Sequence, residues 1–225
     1  LVAKQVDGLI VTPCSPDNTG YFNQLVDEGL PIVQLGRYFE AVRAPVVMAD
    51  NFAAGSAIAE YLVGLGHTRL LHLAVTSRST PDRERTRGFA NAAARLGSET
   101  ECRIYEVDSA DGMAQAVSCF DAELPPTGVF ADDDTVAIGF LRACLKRDIT
   151  APKDFSLVSV GPRSSDSLMM PRLTKYAVDA DGMSQAAARL LFSRINGDTE
   201  EAPSTPVVVP MSLVPGETVA EKSFQ

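Results

Sequence analysis

Residues 128–161 read GVFADDDTVAIGFLRACLKRDITAPKDFSLVSVG and contain two apolar runs separated by an amphipathic stretch. The segment opens on a short apolar run, 128–131, with the length and composition of a buried strand. An amphipathic stretch, 133–147, follows, and the acidic residues at its start favour the positive end of a helix. A second apolar run, 155–160, predicts another strand. A strand, a helix and a strand at this spacing form a βα unit of a parallel sheet.

The same alternation extends in both directions along the chain. Further predicted strands are 8–13, 31–35, 46–49, 69–75, 103–107 and 206–210. Further predicted helices are 18–29, 51–65, 82–96, 111–123 and 181–196. Asn51 and Asp111 are expected as N-caps, and Gly66 and Gly197 are expected just after helix ends. Apolar strands that alternate with amphipathic helices predict an α/β fold with parallel sheets covered on both faces.

Composition and charge exclude several classes of function. The 225 residues are 45% hydrophobic and 22% charged, which suits one large globular domain or two smaller lobes. The net charge of −9 argues against binding nucleic acid through a positive surface field. No apolar run approaches the ~18–20 residues that span a bilayer, so no membrane partner is expected. No GxGxxG, P-loop or nucleophile-elbow motif indicates an enzyme, and neither a cofactor nor a metal is expected.

The cysteines are expected to be free thiols. Cys14, Cys102, Cys119 and Cys144 are scattered and show no CxxC spacing. This distribution favours buried, reduced thiols of a cytoplasmic protein over a disulfide framework or a zinc site.

The two histidines are expected to be structural. Both lie within 63–75, which reads VGLGHTRLLHLAV. His67 comes just after a predicted helix end, where a hydrogen-bonding side chain meets free carbonyls. His72 lies inside a predicted strand between leucines. No neighbouring Ser, Asp or Cys completes a triad, and no HExxH motif is present, so catalysis is the weaker interpretation.

A family resemblance becomes specific when several segments are read in order. They are VDGLIVTP (6–13), GLPIVQLGR (29–37), MADNFAAGSAIAEYLVGLGHTRLLHLA (48–74), RTRGFANAA (85–93), the segment 128–161, PRLT (171–174) and GMSQAAARLLFSRING (182–197). In this order they resemble the effector-binding domain of the lactose-repressor (LacI/GalR) family of bacterial transcription regulators. The resemblance covers nearly the whole chain.

The resemblance implies a two-lobed, type I periplasmic-binding-protein-like fold in which each lobe is a doubly wound parallel sheet. We expect the first lobe to comprise 1–71 and 178–208, and the second 72–177 and 209–225. LGHTR (65–69) is expected where a helix of the first lobe leads into a strand of the second. Ligands of open α/β sheets bind at the carboxyl ends of the strands, so the cleft between the lobes is the expected site.

The family also implies a biological role. Its members are cytoplasmic homodimers that bind a small effector and, by a shift between two arrangements of the lobes, change the affinity of a helix-turn-helix domain for operator DNA. Neither that DNA-binding domain nor the first two βα units of the first lobe is recognisable in the sequence, so the first lobe is expected to be truncated. A periplasmic sugar-binding protein of an uptake system is the alternative, and the upstream segment would separate the two.

Comparison with the family at the ends of three predicted strands gives three expected effector contacts, Thr12, Arg37 and Arg163. Thr12 follows the first strand, where the family places a polar contact, although a turn residue before the next proline is an equal interpretation. Gly36 and Gly161 stand where the family often has an acid that binds sugar hydroxyls. Each is followed closely by an arginine, Arg37 and Arg163 respectively.

Three more expected contacts lie between these positions. Arg85, three residues before a glycine, matches the family's ligand-clamping arginine, although it also fits a solvated surface residue. Phe130 ends a strand where the family can stack a ring on the effector, and a core phenylalanine is an equal interpretation. Asp133 stands where the family commonly has an asparagine that points into the cleft.

These positions leave two classes of effector open. With both hydroxyl-binding acids absent, Arg37, Arg85 and Arg163 together would suit a carboxylate or phosphate, as in a sugar acid or sugar phosphate. If the arginines point to solvent, a neutral sugar or nucleoside is expected instead.

Overall fold

A computed structural model describes residues 6–76, 79–97, 100–108, 110–163, 171–197 and 205–222. The chain forms two compact units. Unit 1 comprises Leu1–Asp50, Ser79–Pro81 and Asp179–Pro210. Unit 2 comprises Asn51–Arg78, Asp82–Val178 and Met211–Gln225.

The described residues form ten strands and six α-helices. The strands are β1 (Leu9–Val11), β2 (Ile32–Leu35), β3 (Val46–Ala49), β4 (Arg69–Val75), β5 (Glu101–Val107), β6 (Gly128–Ala131), β7 (Ser156–Pro162), β8 (Thr174–Val178), β9 (Val207–Val209) and β10 (Ser212–Val214). The helices are α1 (Thr19–Asp27), α2 (Asn51–Gly64), α3 (Thr80–Arg95), α4 (Ala110–Ala116), α5 (Asp134–Leu145) and α6 (Ala180–Asn196). Short 3-10 helices cover Pro16–Asn18 and Val117–Asp121.

Each unit has its own sheet. Unit 1 contains a four-stranded parallel sheet in the order β1-β2-β3-β9, against which α6 packs. Unit 2 contains a six-stranded sheet in the order β10-β8-β7-β6-β4-β5. Its strands are parallel except β10, which runs antiparallel to β8. The predicted α/β class with doubly wound parallel sheets is confirmed.

The sheet of unit 2 is buried on both faces, and β4 shows how the sequence produces this. Leu71 and Leu73 pack into a core with residues of α5, such as Phe140. Leu70 points to the opposite face, where it packs with α2 and with Phe89 of α3. Successive residues of a strand alternate between faces, so a strand that is apolar throughout requires helices on both sides.

The unit boundary differs from the predicted lobe boundary at residue 71. The structure places α2 in unit 2, because Ile58 and Leu62 pack into the same core as Leu70 and Phe89. Consequently, 65–69 joins a helix and a strand of one unit. The chain passes from unit 1 to unit 2 at Asp50 and Asn51 instead.

Several local predictions also need correction. Strands β8 and β10 were not predicted from the sequence, and the predicted helix 111–123 is divided into α4 and a 3-10 helix. The helices expected to be capped by Asn51 and Asp111 begin at Asn51 itself and at Ala110. Gly66 and Gly197 follow their helices with φ of 87° and 72°, so the predicted glycine stops are confirmed. Among the described helices, none has the length and apolar character of a transmembrane segment.

Candidate functional site

A polar cluster forms in unit 2 where α3 approaches the carboxyl end of β6. Arg85, on α3, donates from Nε to Oδ1 of Asp132 and from Nη1 to Oδ1 of Asn51, each at 2.8 Å. Its Nη2 forms a short ion pair with Asp82, three residues earlier on the same helix. These four residues, Arg85, Asp82, Asp132 and Asn51, are called the Arg85 cluster below. The cluster lies at the end of the sheet where ligands of parallel α/β folds bind.

Arg85 is the cation at the centre of the Arg85 cluster. Its guanidinium faces the carboxylates of Asp82 and Asp132 in a region where the side chain of Arg85 is 10% exposed and that of Asp132 is 1% exposed. Burial alone would lower the pKa of Arg85, but the carboxylates of Asp132 and Asp82 together outweigh it and raise that pKa above its ordinary value. Arg85 is therefore cationic under all physiological conditions.

Asp132 is the residue of the Arg85 cluster that has an unused hydrogen-bond acceptor. It is fully buried, and burial raises the pKa of its carboxyl group despite the opposing effect of Arg85. Oδ1 accepts from Arg85, whereas Oδ2 is buried and has no hydrogen-bond partner among the described residues. Buried carboxylate oxygens are normally hydrogen-bonded, so Oδ2 marks a position where a donor is expected.

The next two acidic residues start α5 and have different roles. Asp133 is the N-cap, and its side chain accepts from the backbone N–H of Val136 at 2.8 Å. Asp134 accepts from Ser159 Oγ at 2.7 Å and from the ammonium group of Lys175 at 2.8 Å. Lys175 is fully buried, so the pair is a buried ion pair beside the Arg85 cluster's strand end. The capping hydrogen bond of Asp133 involves only its Oδ1 atom.

Gly161 lies against Asp134. A Cβ atom added at residue 161 would lie 2.3 Å from Oδ2 of Asp134, far closer than atoms can approach. A side chain at this position, where the family often has an acid, would therefore require the carboxylate of Asp134 to move. The nearby Arg163 is exposed and donates to Ser212 Oγ at 2.8 Å, so the structure does not bring it into the Arg85 cluster.

Phe130 lies in the hydrophobic core. Its ring is 0% exposed and stacks on His72 with a centroid distance of 4.3 Å and an interplanar angle of 6°. It also packs against Phe89, at 5.1 Å between centroids. The core interpretation therefore holds for Phe130, and stacking of its ring on an effector is not supported by this arrangement.

Both histidines are held by structural hydrogen bonds. His72 Nε2 lies 3.0 Å from Thr86 Oγ1, and burial lowers the pKa of His72 to about 4. His67 Nε2 lies 3.0 Å from the carbonyl oxygen of Ala220, and burial also lowers its pKa. Both are neutral near pH 7, which agrees with the structural interpretation of the sequence.

The two predicted contacts of unit 1 follow neighbouring strands of its sheet. Thr12 is exposed, and its hydroxyl donates to the carbonyl oxygen of Leu35 at 2.9 Å, which fixes the turn after β1. Gly36 has a φ of 74°, which a glycine adopts without strain. Arg37 is half-buried and makes no hydrogen bond or ion pair with the other described residues. Contact of Thr12 and Arg37 with an effector stays a prediction.

Sequence reasoning found Arg85 and Asp133 but missed most of the partners. Asp82 carried a usable signal, because residues three apart on a helix are neighbours and Asp82 precedes Arg85 by three. Asp132 and Asn51 are distant from Arg85 in sequence, so only the fold brings them together. Within the described ranges, no group of three or more His, Cys, Asp or Glu side chains is placed to hold a metal ion.

The fold and the cluster define a class of protein: a small-molecule binding protein built from parallel α/β units, with polar groups at the carboxyl ends of the strands. The profile of the periplasmic binding protein-like domain matches residues 59–219, and the chain belongs to that family.

Curated relatives of the chain include HTH-type transcriptional regulators. The chain is 29% identical over 233 residues to the HTH-type transcriptional regulator MalR of Streptomyces coelicolor, covering 98% of this chain and 66% of the relative. It is 28% identical over 234 residues to the HTH-type transcriptional regulator reg1 of Streptomyces lividans, with the same coverage of 98% and 66%. The predicted resemblance to LacI-family regulators is confirmed. The chain spans just under two thirds of the length of these relatives.

Solved structures support the same fold. The LacI family transcriptional regulator of Enterococcus faecium with bound ribose superimposes with a TM-score of 0.83 at 22% identity, covering 98% of this chain and 82% of that one. A LacI transcriptional regulator from a Rhodococcus species gives a TM-score of 0.82 at 21% identity, with coverage of 98% and 80%. At this level of identity the likeness concerns the fold.

Proposed function

We propose that this chain is the effector-binding module of a bacterial transcription regulator. It binds a small sugar or sugar-derived molecule, and in the whole protein that binding changes the affinity of a helix-turn-helix domain for operator DNA. The observation that carries the proposal is the Arg85 cluster, a buried set of donors and acceptors at the carboxyl end of β6 in a chain whose relatives are transcription regulators.

The arrangement of the arginines favours a neutral effector over an anionic one. Arg85 is already paired with two carboxylates, and Arg163 is turned to Ser212. Of the three arginines expected to bind an anion, only Arg37 is without such a partner among the described residues. The structure with bound ribose in a protein of the same fold supports a sugar as the first candidate.

The remaining features of the family are part of the same proposal. We propose that the whole protein is a homodimer in the cytoplasm, that it has no enzymatic activity, and that it reaches DNA only through its helix-turn-helix domain. A two-fold symmetric dimer matches a palindromic operator, so dimerisation is the natural route from effector binding to DNA release or DNA binding. The alternative, a periplasmic component of an uptake system, is less well supported because MalR and reg1 are regulators.

The test has two parts. First, a panel of pentoses, hexoses, nucleosides, sugar acids and sugar phosphates is screened for compounds that raise the thermal midpoint of the protein, since a ligand that binds only the folded state stabilises it. Second, the full-length protein is titrated with DNA selected from a random pool, with and without the best compound. The proposal predicts a stabilising compound that changes DNA affinity by roughly 5- to 150-fold. A protein that selects no DNA would contradict it.

A further inference from the structure

The segment after β10 crosses the amino ends of several strands of unit 2. Residues 216–222, called the strap below, form hydrogen bonds with the first residues of β7 and β8 and with the segment between α2 and β4. The strap itself is not part of a strand, so its attachment depends on these individual contacts. It lies at the opposite edge of the sheet from the Arg85 cluster, which is at the carboxyl end of β6.

Thr218 anchors the middle of the strap. It is fully buried, and its Oγ1 donates to the carbonyl oxygen of Leu157 at 2.7 Å and accepts from the backbone N–H of Thr174 at 2.9 Å. The carbonyl oxygen of Thr218 also accepts from the backbone N–H of Leu157 at 2.8 Å. The hydroxyl uses both its donor and an acceptor, so this anchor joins the strap firmly to β7 and β8.

Ala220 forms the second anchor, which lies next to solvent. Its backbone N–H donates to Ser156 Oγ at 3.0 Å, and its carbonyl oxygen lies 3.0 Å from both Ser156 Oγ and His67 Nε2. Two residues later, the backbone N–H of Lys222 donates to the carbonyl oxygen of Leu65 at 2.9 Å. Ala220 is exposed, whereas His67 is only 4% exposed, so the strap covers the histidine from the solvent side.

The ring of His67 can hold the strap only in its neutral form. A carbonyl oxygen can only accept a hydrogen bond, so Nε2 carries the proton and Nδ1 does not. Nδ1 is buried and has no hydrogen-bond partner among the described residues. A second proton on this ring would therefore create a buried N–H without an acceptor, an arrangement that folded proteins avoid.

The charges around His67 also disfavour the protonated ring. Burial lowers the pKa of His67, and the ammonium group of Lys222 lowers it further, while the hydrogen bond to the strap acts in the opposite direction. Arg69, at the start of β4, is a second cation at this corner and lowers the pKa of Lys222. Gly128 of β6, which lies against the ring, and the last turn of α2 bring no charge, and Glu221 of the strap is exposed.

We propose that the strap is a proton-sensitive clamp on unit 2 and that His67 is its latch. With a neutral ring, Nε2 holds the carbonyl group of Ala220 and Nδ1 needs no acceptor. When the strap opens, water reaches the ring and accepts from Nδ1 of the protonated form. Opening is therefore coupled to the uptake of one proton, and a pH below about 6.5 favours the open strap.

Hydrogen–deuterium exchange tests the proposal without any ligand, so the result is independent of the proposed function. The amides of Ala220 and Lys222 report the opening of the strap, because each donates a hydrogen bond in the closed form. Exchange rates are divided by the intrinsic rate at each pH. His67→Gln keeps an N–H donor for the carbonyl group of the strap but cannot take up a proton. His72→Gln is the control, because His72 is bonded to Thr86 and Phe130 instead.

In wild type and His72→Gln, opening of the strap is expected to increase by up to about tenfold between about pH 7.5 and 5.5, the limit for one proton and an open-state pKa of about 6.5. The amides of β6 should stay slower throughout, since they exchange only when the sheet opens. The normalised exchange of the strap in His67→Gln should be independent of pH. An unchanged wild-type strap, or a His67→Gln protein that keeps the wild-type dependence, overturns the proposal.

A titration of wild type followed by NMR covers the case in which His67→Gln does not fold. The ring signals of His67 and the amide signals of Ala220 and Lys222 should then change together, with one midpoint. A ring that titrates while both amides stay unchanged would show that His67 does not control the strap.

Discussion

Oδ1 of Asp132 accepts a hydrogen bond of 2.8 Å from Nε of Arg85, although the two residues are 47 positions apart in the chain. The contact joins α3 to the loop after β6, and both partners are buried. It thereby links the helix that covers one face of the sheet to the strand end at which an effector is proposed to bind. If the effector binds there, substitution of either residue should affect both the stability of the fold and effector binding.

Arg85→Ala is expected to destabilise unit 2 strongly. The substitution removes the cation that pairs with the buried carboxylate of Asp132, and breaking a buried ion pair by removing one partner costs about 3–5 kcal/mol. Arg87→Ala is the control, because Arg87 lies on the same helix with 61% of its side chain exposed and pairs with Glu84. That control should cost no more than about 1 kcal/mol. Urea unfolding measures both values, and equal losses in the two variants would contradict the account.

A second prediction concerns the contact between α2 and α3, where glycines allow the two backbones to touch. A Cβ atom at Gly88 would lie 2.1 Å from the carbonyl oxygen of Phe52, and one at Gly55 would lie 2.1 Å from that of Arg85. Gly88→Ala should therefore destabilise the protein by about 1–3 kcal/mol through overpacking. Gly64→Ala, also on α2 but with open space around it, should be neutral or raise stability by up to about 1 kcal/mol. Chemical denaturation that shows no difference between these variants would disprove the close helix contact.

The third prediction is a pH dependence from His72. Its pKa is lowered from an ordinary value of 6.5 to about 4 in the folded protein, chiefly by burial. Between these values the unfolded chain binds more protons than the folded protein, so stability is complete above about pH 6.5 and falls as the pH decreases towards 4. The full effect is about 3 kcal/mol.

Denaturation at several pH values between about 7 and 5 tests the His72 prediction. The slope of stability against pH should be smaller in a His72→Gln variant than in wild type. His67 contributes in the same direction, because burial also lowers its pKa, and therefore some slope remains in the variant. Identical slopes for the two proteins would show that His72 does not titrate as its environment implies.

The fourth prediction concerns the reactivity of the thiols. All four cysteines are free, and Cys14 is exposed, contrary to the expectation that all are buried. Burial raises the pKa of Cys119 to about 11 and that of Cys144 to about 12, and it also raises the pKa of Cys102. Because the thiolate is the reactive form, a thiol reagent should label Cys14 rapidly and the other three slowly in the native protein. Denatured, unreduced protein should titrate four thiols, and a lower count would indicate a disulfide.

The fold was accessible from the sequence because its signals are local. Strands that are apolar along their whole length, such as β4, and amphipathic helices between them require covered parallel sheets. The boundary between the two units could not be predicted from local sequence patterns. Whether α2 belongs to one unit or the other depends on which core Ile58 and Leu62 enter, and that packing is a tertiary property.

The candidate site was likewise predictable from the sequence only in part. Arg85 lies three residues before a glycine in a family motif, and Asp133 stands where the family commonly has an asparagine, so the resemblance points to both residues. The sequence did not show that Arg85 is paired, because two of its hydrogen-bond partners, Asn51 and Asp132, lie far from it in the chain. Likewise, no sequence rule indicated that Asp134 would fill the space beside Gly161. Local patterns predict where a polar residue lies, whereas its free or paired state depends on the folded contacts.

Whether the effector binds at the Arg85 cluster is tested by a calorimetric titration of the panel sugar that raises the thermal midpoint most. Wild type, Arg85→Ala and Arg87→Ala are compared at a temperature where all three are folded. If the Arg85 cluster forms the effector site, wild type and Arg87→Ala bind this sugar with the same affinity and one-to-one stoichiometry. Arg85→Ala should then bind roughly a hundredfold more weakly, which corresponds to about 2.7 kcal/mol. An affinity of Arg85→Ala within a factor of about two of wild type would place the effector away from the Arg85 cluster and contradict the account.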